Sequence, residues 1–245
     1  MSEKIPVIAF LGPPGSGKDT QANFLTSDFG FYQISSGDIL RDMRKRAESE
    51  PDNFEARAVK DILDRGKYAP TLTIACQWYH ILMRLTRRIN SGFADKLRGV
   101  LFSGSPRKLA EAWLIDDFFS TFPGASVFDF KAVFLDVPES EAMRRLASRR
   151  ICVGCSKIYS GTGEDLFIKL CSGCGLELKP RHDDDAELAR SRMQEYKKYV
   201  LPTVEFFKEK GSLVRIDGTQ SILKVKADLL QAAGIKVIGI KPNTI

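Results

Sequence analysis

A glycine-rich segment near the N-terminus joins a short apolar run, residues 6–11, to a stretch patterned like a helix. The segment reads Gly12-Pro-Pro-Gly-Ser-Gly-Lys18-Asp19-Thr20. In such a strand–turn–helix the glycines let consecutive backbone N–H groups face an anion, and the helix N-terminus adds partial positive charge. Lys18 then lies where it reaches the outer phosphates of a nucleotide. An ordinary strand-to-helix turn is the alternative, but the full motif favours a phosphate-binding loop.

Strand and helix patterns alternate along the rest of the chain. Apolar runs typical of buried strands fall at residues 6–11, 29–34, 100–102, 130–137 and 213–217. Helical patterns lie between and after them, at about 39–47, 54–64, 71–90, 108–122, 139–150, 184–210 and 221–233, and we expect the 184–210 helix to bend at Pro202. This alternation predicts a parallel sheet with helices on both faces and ligands at the carboxyl ends of the strands.

Four of the five cysteines form two pairs, Cys152-x-x-Cys155 and Cys171-x-x-Cys174, inside a glycine-rich stretch at residues 151–182. The spacing is that of a zinc knuckle, and two disulfides are the alternative. Four thiolates fill the coordination shell of zinc, so the metal would be structural. We interpret the stretch as an inserted module. Cys76 lies in an apolar helical pattern, and we expect it to be a buried core thiol.

The composition of the 245 residues, 43% hydrophobic and 28% charged, is typical of a globular protein. A net charge of +6 suits an acidic ligand such as a nucleotide. Nucleic acid also suits a basic chain, but the charges are spread out and form no long Lys/Arg block. The N-terminal apolar run is too short for a signal peptide or a membrane span. We therefore expect a cytoplasmic protein that does not bind membranes.

The order of the motifs resembles that of the adenylate kinase family, from about Pro6 to Gly234. The motifs that carry the resemblance are the segment 12–20 followed by Gln21-Ala22, Ile34-Ser-Ser-Gly-Asp38-Ile-Leu-Arg41, Gly104-Ser-Pro-Arg107, Leu135-Asp-Val-Pro138, Arg149-Arg150, Arg181-His-Asp-Asp, Arg192 and Ile216-Asp-Gly218. Members of the family with a zinc-bearing lid carry paired cysteines where Cys152 to Cys174 fall.

The resemblance implies a P-loop three-layer α/β/α fold with a five-stranded parallel sheet. The core would comprise residues 1–35, 70–148 and 186–245, with a monophosphate-binding insertion at 36–69 and a zinc-binding lid at 149–185. It implies a monomeric phosphotransferase that reversibly moves the terminal phosphoryl group of ATP·Mg²⁺ to AMP, giving two ADP. Mg²⁺ would come with ATP, and structural Zn²⁺ would lie in the lid.

The resemblance also implies site residues. Catalytic cations would be Lys18, Arg107, Arg149, Arg181 and Arg192. ATP would be bound by Gly15, Ser16, Gly17, Lys18, Asp19, Thr20, Arg145, Arg149, Ile158, Tyr159 and Gln220. The monophosphate would be bound by Ser36, Arg41, Lys67, Tyr68, Ala69, Gly104, Arg107, Glu111, Arg181 and Arg192. Phosphoryl transfer needs such positioned cations more than covalent help from the protein.

The chain departs from the family pattern at Ser103, where the family usually has an aspartate that holds a Mg²⁺-bound water. Asp19 is an extra carboxylate beside the phosphate loop. We hypothesise that Asp19, together with Asp38, orients the Mg²⁺ shell in its place. The alternative is that Asp19 only complements the positive end of the helix that follows.

The second departure is Glu111, where the family has a glutamine that reads the acceptor adenine. A carboxylate only accepts hydrogen bonds, which suits the N1–H and N2–H groups of guanine better than the N1 of adenine. A shift of one residue in the alignment, or a Glu111 side chain pointing to solvent, would remove this argument. AMP is the first choice of acceptor, and GMP or another nucleoside monophosphate is the alternative.

A different class of function also fits part of the sequence. A P-loop joined to a zinc knuckle could bind nucleic acid and hydrolyse a nucleoside triphosphate slowly. Such a protein would bind oligonucleotides in a strongly salt-dependent way. Arg41 and Arg107 speak against it, because they stand where a second nucleotide phosphate would be gripped.

Overall fold

The computed structural model describes residues 4–65, 68–93, 97–155, 157–160, 165, 167–180 and 184–235. Its main sheet has five strands, all parallel, in the order β2-β3-β1-β4-β8. These strands are β1 (Ile5–Leu11), β2 (Tyr32–Ser35), β3 (Val100–Ser103), β4 (Phe128–Asp136) and β8 (Leu213–Asp217). The predicted five-stranded parallel sheet is confirmed.

Helices connect and cover these strands. They are α1 (Lys18–Phe29), α2 (Ser36–Ser49), α3 (Phe54–Asp64), α4 (Thr71–Arg88), α5 (Leu109–Thr121), α6 (Glu139–Ser148), α7 (Ala186–Glu195), α8 (Leu201–Glu209) and α9 (Ile222–Ala232). A π-helical turn, Ile89–Phe93, extends α4, and a 3₁₀ turn, Pro123–Val127, precedes β4. Among the described helices, none combines the length and hydropathy needed to cross a membrane.

β1 shows why the sheet is buried on both faces. Its side chains alternate, so Val7, Ala9 and Leu11 join one hydrophobic cluster, while Ile8 and Phe10 join another. β3 and β4 pair with β1 on its two edges. The strand that leads into the phosphate loop is therefore packed on both faces and paired on both edges, and this fixes the position at which the loop begins.

A second, smaller sheet lies in the insertion. Its antiparallel strands β5 (Arg150–Cys152), β6 (Ile158–Tyr159) and β7 (Leu178–Pro180) have the order β6-β5-β7. Cys152, Tyr159 and Cys171 form its small buried cluster. We call this unit the lid.

Two expectations need correction. Cys76 is exposed, because Ile74, Ala75 and Trp78 take the buried face of α4 and the helical period turns Cys76 away from the core. The expected helix over 184–210 is two helices, α7 and α8, joined by a π-helical turn at Tyr196–Val200. The irregularity falls just before Pro202, whose missing N–H removes a helical hydrogen bond.

Candidate active site

The phosphate loop leaves β1 at Leu11 and enters α1 at Lys18. Gly15 has a φ of +83°, and a Cβ there would lie 2.5 Å from the carbonyl oxygen of Ala142 in α6. Glycine is therefore required both by the backbone conformation and by the contact with α6. In this conformation Lys18 Nζ donates hydrogen bonds to the carbonyl oxygens of Gly12 (2.8 Å) and Pro13 (2.7 Å).

The electrostatic surroundings of Lys18 are unusual for a lysine. Burial lowers its pKa to about 7, against an attraction from Asp19 that raises it. Repulsion from Arg107, Arg192 and Arg149 lowers it further. A strongly anionic ligand would relieve this repulsion, so the free site is prepared for phosphate.

A cleft of about 1020 Å³ lies over the carboxyl ends of the strands. It contains the loop, the starts of α1 and α2, the segment after β3, part of α6 and the segment after β8. The predicted site residues that line it are Gly15, Ser16, Gly17, Lys18, Asp19, Thr20, Asp38, Arg41, Gly104, Arg107, Arg145, Arg149, Ile158, Arg192 and Gln220. Ser103 lines it as well.

One carboxylate joins two of the cleft arginines. Asp184 accepts hydrogen bonds from Nε and Nη2 of Arg149, both at 2.6 Å, and from Nη1 of Arg192 at 3.0 Å. Its side chain is 3% exposed. Asp184 ends the Arg181-His-Asp-Asp motif, which by itself assigns this carboxylate no role. Its position among the arginine motifs is the signal that could have found it.

A second carboxylate orients Arg145, one of the arginines expected to bind ATP. Arg145 Nε donates to Glu141 Oε1 at 2.7 Å, and Arg145 Nη1 donates to the carbonyl oxygen of Gly218 at 2.9 Å. The hydrogen bonds from Arg144 and Arg145 lower the pKa of Glu141 to about 2. Arg145 therefore bridges α6 and the segment that follows β8.

On the other side of the cleft, Arg107 and Arg41 have different settings. The Arg107 guanidinium lies 5.1 Å from the centre of the Tyr68 ring, and Tyr68 packs edge-on against Tyr199. Arg41 is well exposed and forms an ion pair with Asp38 one helical turn earlier. Arg107 is thus positioned by its neighbours, whereas Arg41 reaches out from α2.

The remaining predicted residues that the structure describes lie beside the cleft. Ser36 and Glu111 are buried next to the segment after β3, and the carbonyl oxygen of Ala69 accepts from Lys108 Nζ at 2.9 Å. Tyr159 is 3% exposed and packs inside the lid. Lys67 and Arg181 lie outside the described residues, as does His182.

Comparison with known proteins identifies the family to which this chain is similar. The family model described as adenylate kinase matches residues 10–212. A protein named adenylate kinase from Thermotoga petrophila is 34% identical over 231 residues, covering 93% of this chain and 96% of its own length. One from Chlamydia trachomatis is 33% identical over 236 residues, covering 92% of this chain and 90% of its own length.

The chain belongs to the adenylate kinase family. Adenylate kinases are phosphotransferases, so the predicted family and class of reaction are confirmed. The matched residues 10–212 include the phosphate loop, every cleft arginine named above and the whole lid.

The four lid cysteines lie together, as their spacing predicts for the zinc-bearing lids of adenylate kinases. The Sγ atoms of Cys152, Cys155, Cys171 and Cys174 all lie within 4.8 Å of one another, and none forms a disulfide. Zn–S bonds of about 2.3 Å place the corners of a tetrahedron about 3.8 Å apart. The hydrogen bond from the Tyr159 hydroxyl to Cys171 Sγ lowers the pKa of that thiol to about 5. The donor set therefore fits a four-thiolate metal site.

Proposed function

We propose that the protein is an adenylate kinase that reversibly transfers the terminal phosphoryl group of ATP·Mg²⁺ to AMP and releases two ADP. One observation carries the proposal. Lys18, Arg41, Arg107, Arg149 and Arg192 come from separate segments of the chain and line one cleft. A site for a single triphosphate needs only part of this set, whereas a donor and an acceptor nucleotide whose phosphates meet would use all of it.

The reaction follows from such an arrangement. An oxygen of the AMP phosphate attacks the terminal phosphorus of ATP, and the bond from that phosphorus to the bridging oxygen breaks, so the electron pair leaves with ADP. The negative charge spreads over the oxygens of the transferred group. Cations that are already in place stabilise this charge without reorganisation at the moment of reaction.

We assign the two nucleotides to the two sides of the cleft. The phosphate loop with Lys18 would hold the ATP phosphates, and Arg145 would lie over the ATP adenine. Arg41 and Arg107 would hold the AMP phosphate by planar, bidentate hydrogen bonds. Arg149 and Arg192, joined by Asp184, would contact the group in transfer. Lys67 and Arg181 keep the roles that the family resemblance implies.

A coupled assay with ATP and a panel of monophosphates tests the proposal. We expect rapid ADP formation with AMP and slower formation with GMP, CMP and UMP. Turnover fastest with GMP would replace AMP by the alternative acceptor. No monophosphate-stimulated ADP formation, together with tight and salt-dependent oligonucleotide binding, would contradict the proposal and favour the nucleic-acid-binding class.

We further propose that Asp19 helps to orient the shell of Mg²⁺, which would neutralise charge on the ATP phosphates. Asp19 is exposed in the cleft one residue after Lys18, and Ser103 lines the same cleft without a carboxylate. Asp38, the other candidate, already pairs with Arg41. Asp19 is thus the carboxylate with the better access to a metal beside the phosphate loop.

Substitution of Asp19 tests this role. We expect Asp19→Asn to lower Mg²⁺-dependent turnover by about tenfold, or about 1.4 kcal/mol of barrier, and to raise the Mg²⁺ concentration needed for half-maximal rate. Asp28→Asn, at the far end of the same helix, is the matched control. Adding Ser103→Asp to the Asp19→Asn variant should restore part of the rate. Wild-type activity of Asp19→Asn would contradict this role of Asp19.

We also propose that the lid cysteines hold one structural Zn²⁺. Four thiolates leave no coordination position for substrate, so the metal would stabilise the lid and take no part in the chemistry. Elemental analysis of the purified protein should give one zinc per chain. The Cys171→Ser variant should give much less, and an undiminished zinc content in that variant would place the metal elsewhere.

A further inference from the structure

Glu111 occupies a buried polar network beside the acceptor side of the cleft. It lies in the first turn of α5 and is 4% exposed. Its Oε2 accepts a hydrogen bond from the backbone N–H of Arg107 at 2.9 Å. Burial raises the pKa of Glu111, and the Arg107 N–H and the nearby Ser105 side chain act in the opposite direction.

The network continues from Ser105 into α2. Ser105 Oγ lies 2.6 Å from Ser36 Oγ, and both serines are buried. Either hydroxyl can donate in this contact. Ser36 is the first residue of α2, the helix that carries Arg41. The segment that carries Arg107 is therefore joined to α5 through Glu111 and to the start of α2 through Ser105.

Arg107 is held at both ends by this arrangement. Glu111 holds its backbone N–H, and the Tyr68 ring lies under its guanidinium at 5.1 Å. Because a phosphate-binding arginine acts through geometry, a shift of its main chain would carry the guanidinium away from the acceptor phosphate. Oε2 of Glu111 is thereby engaged by a protein N–H group.

We propose that Glu111 is a positioning residue for the acceptor phosphate site and that it does not read the acceptor base. It fixes the main chain of Arg107 directly, and the neighbouring Ser105 joins the same segment to the start of α2. The proposal rests on the proposed kinase function, because it concerns the acceptor phosphate of that reaction. Choice among acceptor bases is then independent of the side chain at position 111.

The kinetic constants of three variants test the proposal, once the wild-type protein has shown AMP-dependent turnover. Glu111→Ala should raise KM for AMP and for GMP by the same factor, about tenfold or more, and leave KM for ATP within about twofold. Glu111→Gln should stay within about threefold of wild type. Its amide oxygen can accept the hydrogen bond from the Arg107 N–H as the carboxylate does. Asp117→Ala, which removes an exposed carboxylate from the same helix, should match the wild type.

The outcomes separate positioning from the alternatives. A change of more than about fivefold in the AMP-to-GMP preference of Glu111→Gln or Glu111→Ala would overturn the proposal and make Glu111 a base reader. A lower melting temperature with unchanged KM for AMP would also overturn it, because Glu111 would then be a structural helix cap. If Glu111→Ala does not fold, Ser105→Ala gives a second test, since it removes the contact with Ser36 and should raise KM for AMP and for GMP by the same factor, with KM for ATP unchanged. An inactive wild-type protein would instead reject the proposed function itself.

Discussion

At the residue scale, Lys18 reports directly on phosphate binding. Its amine hydrogen-bonds the carbonyl oxygens of Gly12 and Pro13, and burial lowers its pKa from 10.5 to about 7. A bound triphosphate brings several negative charges close to the amine, which favours its protonated form and raises the pKa again. Ligand binding and proton binding are therefore coupled at this residue.

This coupling predicts proton uptake when a nucleotide binds. At pH 8 most Lys18 side chains are neutral in the free protein and charged in the complex, so binding of a non-hydrolysable ATP analogue with Mg²⁺ should take up about 0.9 proton per site. Calorimetry in two buffers of different ionisation enthalpy measures this number. The Lys18→Arg variant is the control, because arginine stays charged in both states. Equal heats in the two buffers for the wild type would contradict the prediction.

Asp184 shows how a buried charge can be essential to two others. Its carboxylate is 3% exposed and hydrogen-bonds both Arg149 and Arg192. Without it the two guanidiniums would repel each other, and Arg149, 11% exposed, would be left without a counter-ion at that position. Removal of the Asp184 carboxylate should therefore destabilise the folded protein.

We expect Asp184→Ala to lower stability by about 3 kcal/mol, the low end for a broken buried pair, because the Arg192 side chain is a third exposed. In a chain of this length that is a fall in melting temperature of roughly 6–12 °C. Glu205→Ala, which removes an exposed ion pair with Lys208, should change it by less than about 2 °C. Thermal unfolding followed by circular dichroism makes the comparison; equal melting temperatures for the two variants would show that Asp184 is not structurally important.

At the element scale, the helical period of α4 decides the state of Cys76. Trp78 and Leu82 share the buried face of this helix, and Cys76 points away from it. The other four thiols form the lid cluster. The chain thus has two classes of cysteine, one exposed on a helix and four suited to binding metal.

These two classes predict the outcome of a thiol titration. In the native, zinc-loaded protein one thiol should react rapidly with Ellman's reagent, and five should react after chelation and unfolding. Cys76→Ser should remove the fast thiol and shift the melting temperature by no more than about 2 °C. A fast reaction that survives in Cys76→Ser would assign it to a lid cysteine and weaken the case for bound zinc.

The sequence predicted regular elements well where one local signal decides them. α3 is observed at Phe54–Asp64, as predicted, because Asn53 caps its start and the helical pattern of apolar residues ends at Asp64. β2 begins at Tyr32, three residues later than predicted, because α1 continues to Phe29 and closes at Gly30 in the left-handed conformation. The apolar pattern alone could not distinguish the last turn of a helix from the first residues of a strand.

The same limit applies to the site. Lys18 and the cysteine pairs could be predicted because each motif is local in sequence. The role of Asp184 depends on its contact with Arg149, which lies 35 residues earlier in the chain. The role of Glu111 depends on the turn after β3, which brings the backbone N–H of Arg107 to its carboxylate and which the residue pattern does not specify. The π-helical turn between α7 and α8 also has no local signal other than Pro202.

At the scale of the whole molecule, the cleft is lined by several separate segments of the chain. The sheet supplies the phosphate loop and the segment after β3, the lid side supplies Arg149, and α7 supplies Arg192. A ligand that contacts all of these parts at once should stabilise the entire fold, because it binds only where they are correctly assembled.

A dinucleotide in which two adenosines are joined by a polyphosphate is such a ligand. At one hundred times its dissociation constant it should stabilise the protein by about 2.7 kcal/mol, or roughly 5–11 °C in melting temperature. Lys18→Ala and Arg107→Ala, which remove one cation from each side of the cleft, should each reduce the shift at the same ligand concentration. A shift that depends on Lys18 but is indifferent to Arg107 would indicate a single-nucleotide site. Differential scanning fluorimetry is sufficient for this measurement.

The two ends of the lid lie side by side in the fold. Arg149 precedes β5, Asp184 follows β7, and their side chains are 2.6 Å apart. A segment that leaves and rejoins the core at one point imposes little on it, and each doubling of such a loop costs only about 0.6 kcal/mol in closure entropy. We therefore expect the lid to tolerate a change of length without displacement of the phosphate loop or the five-stranded sheet.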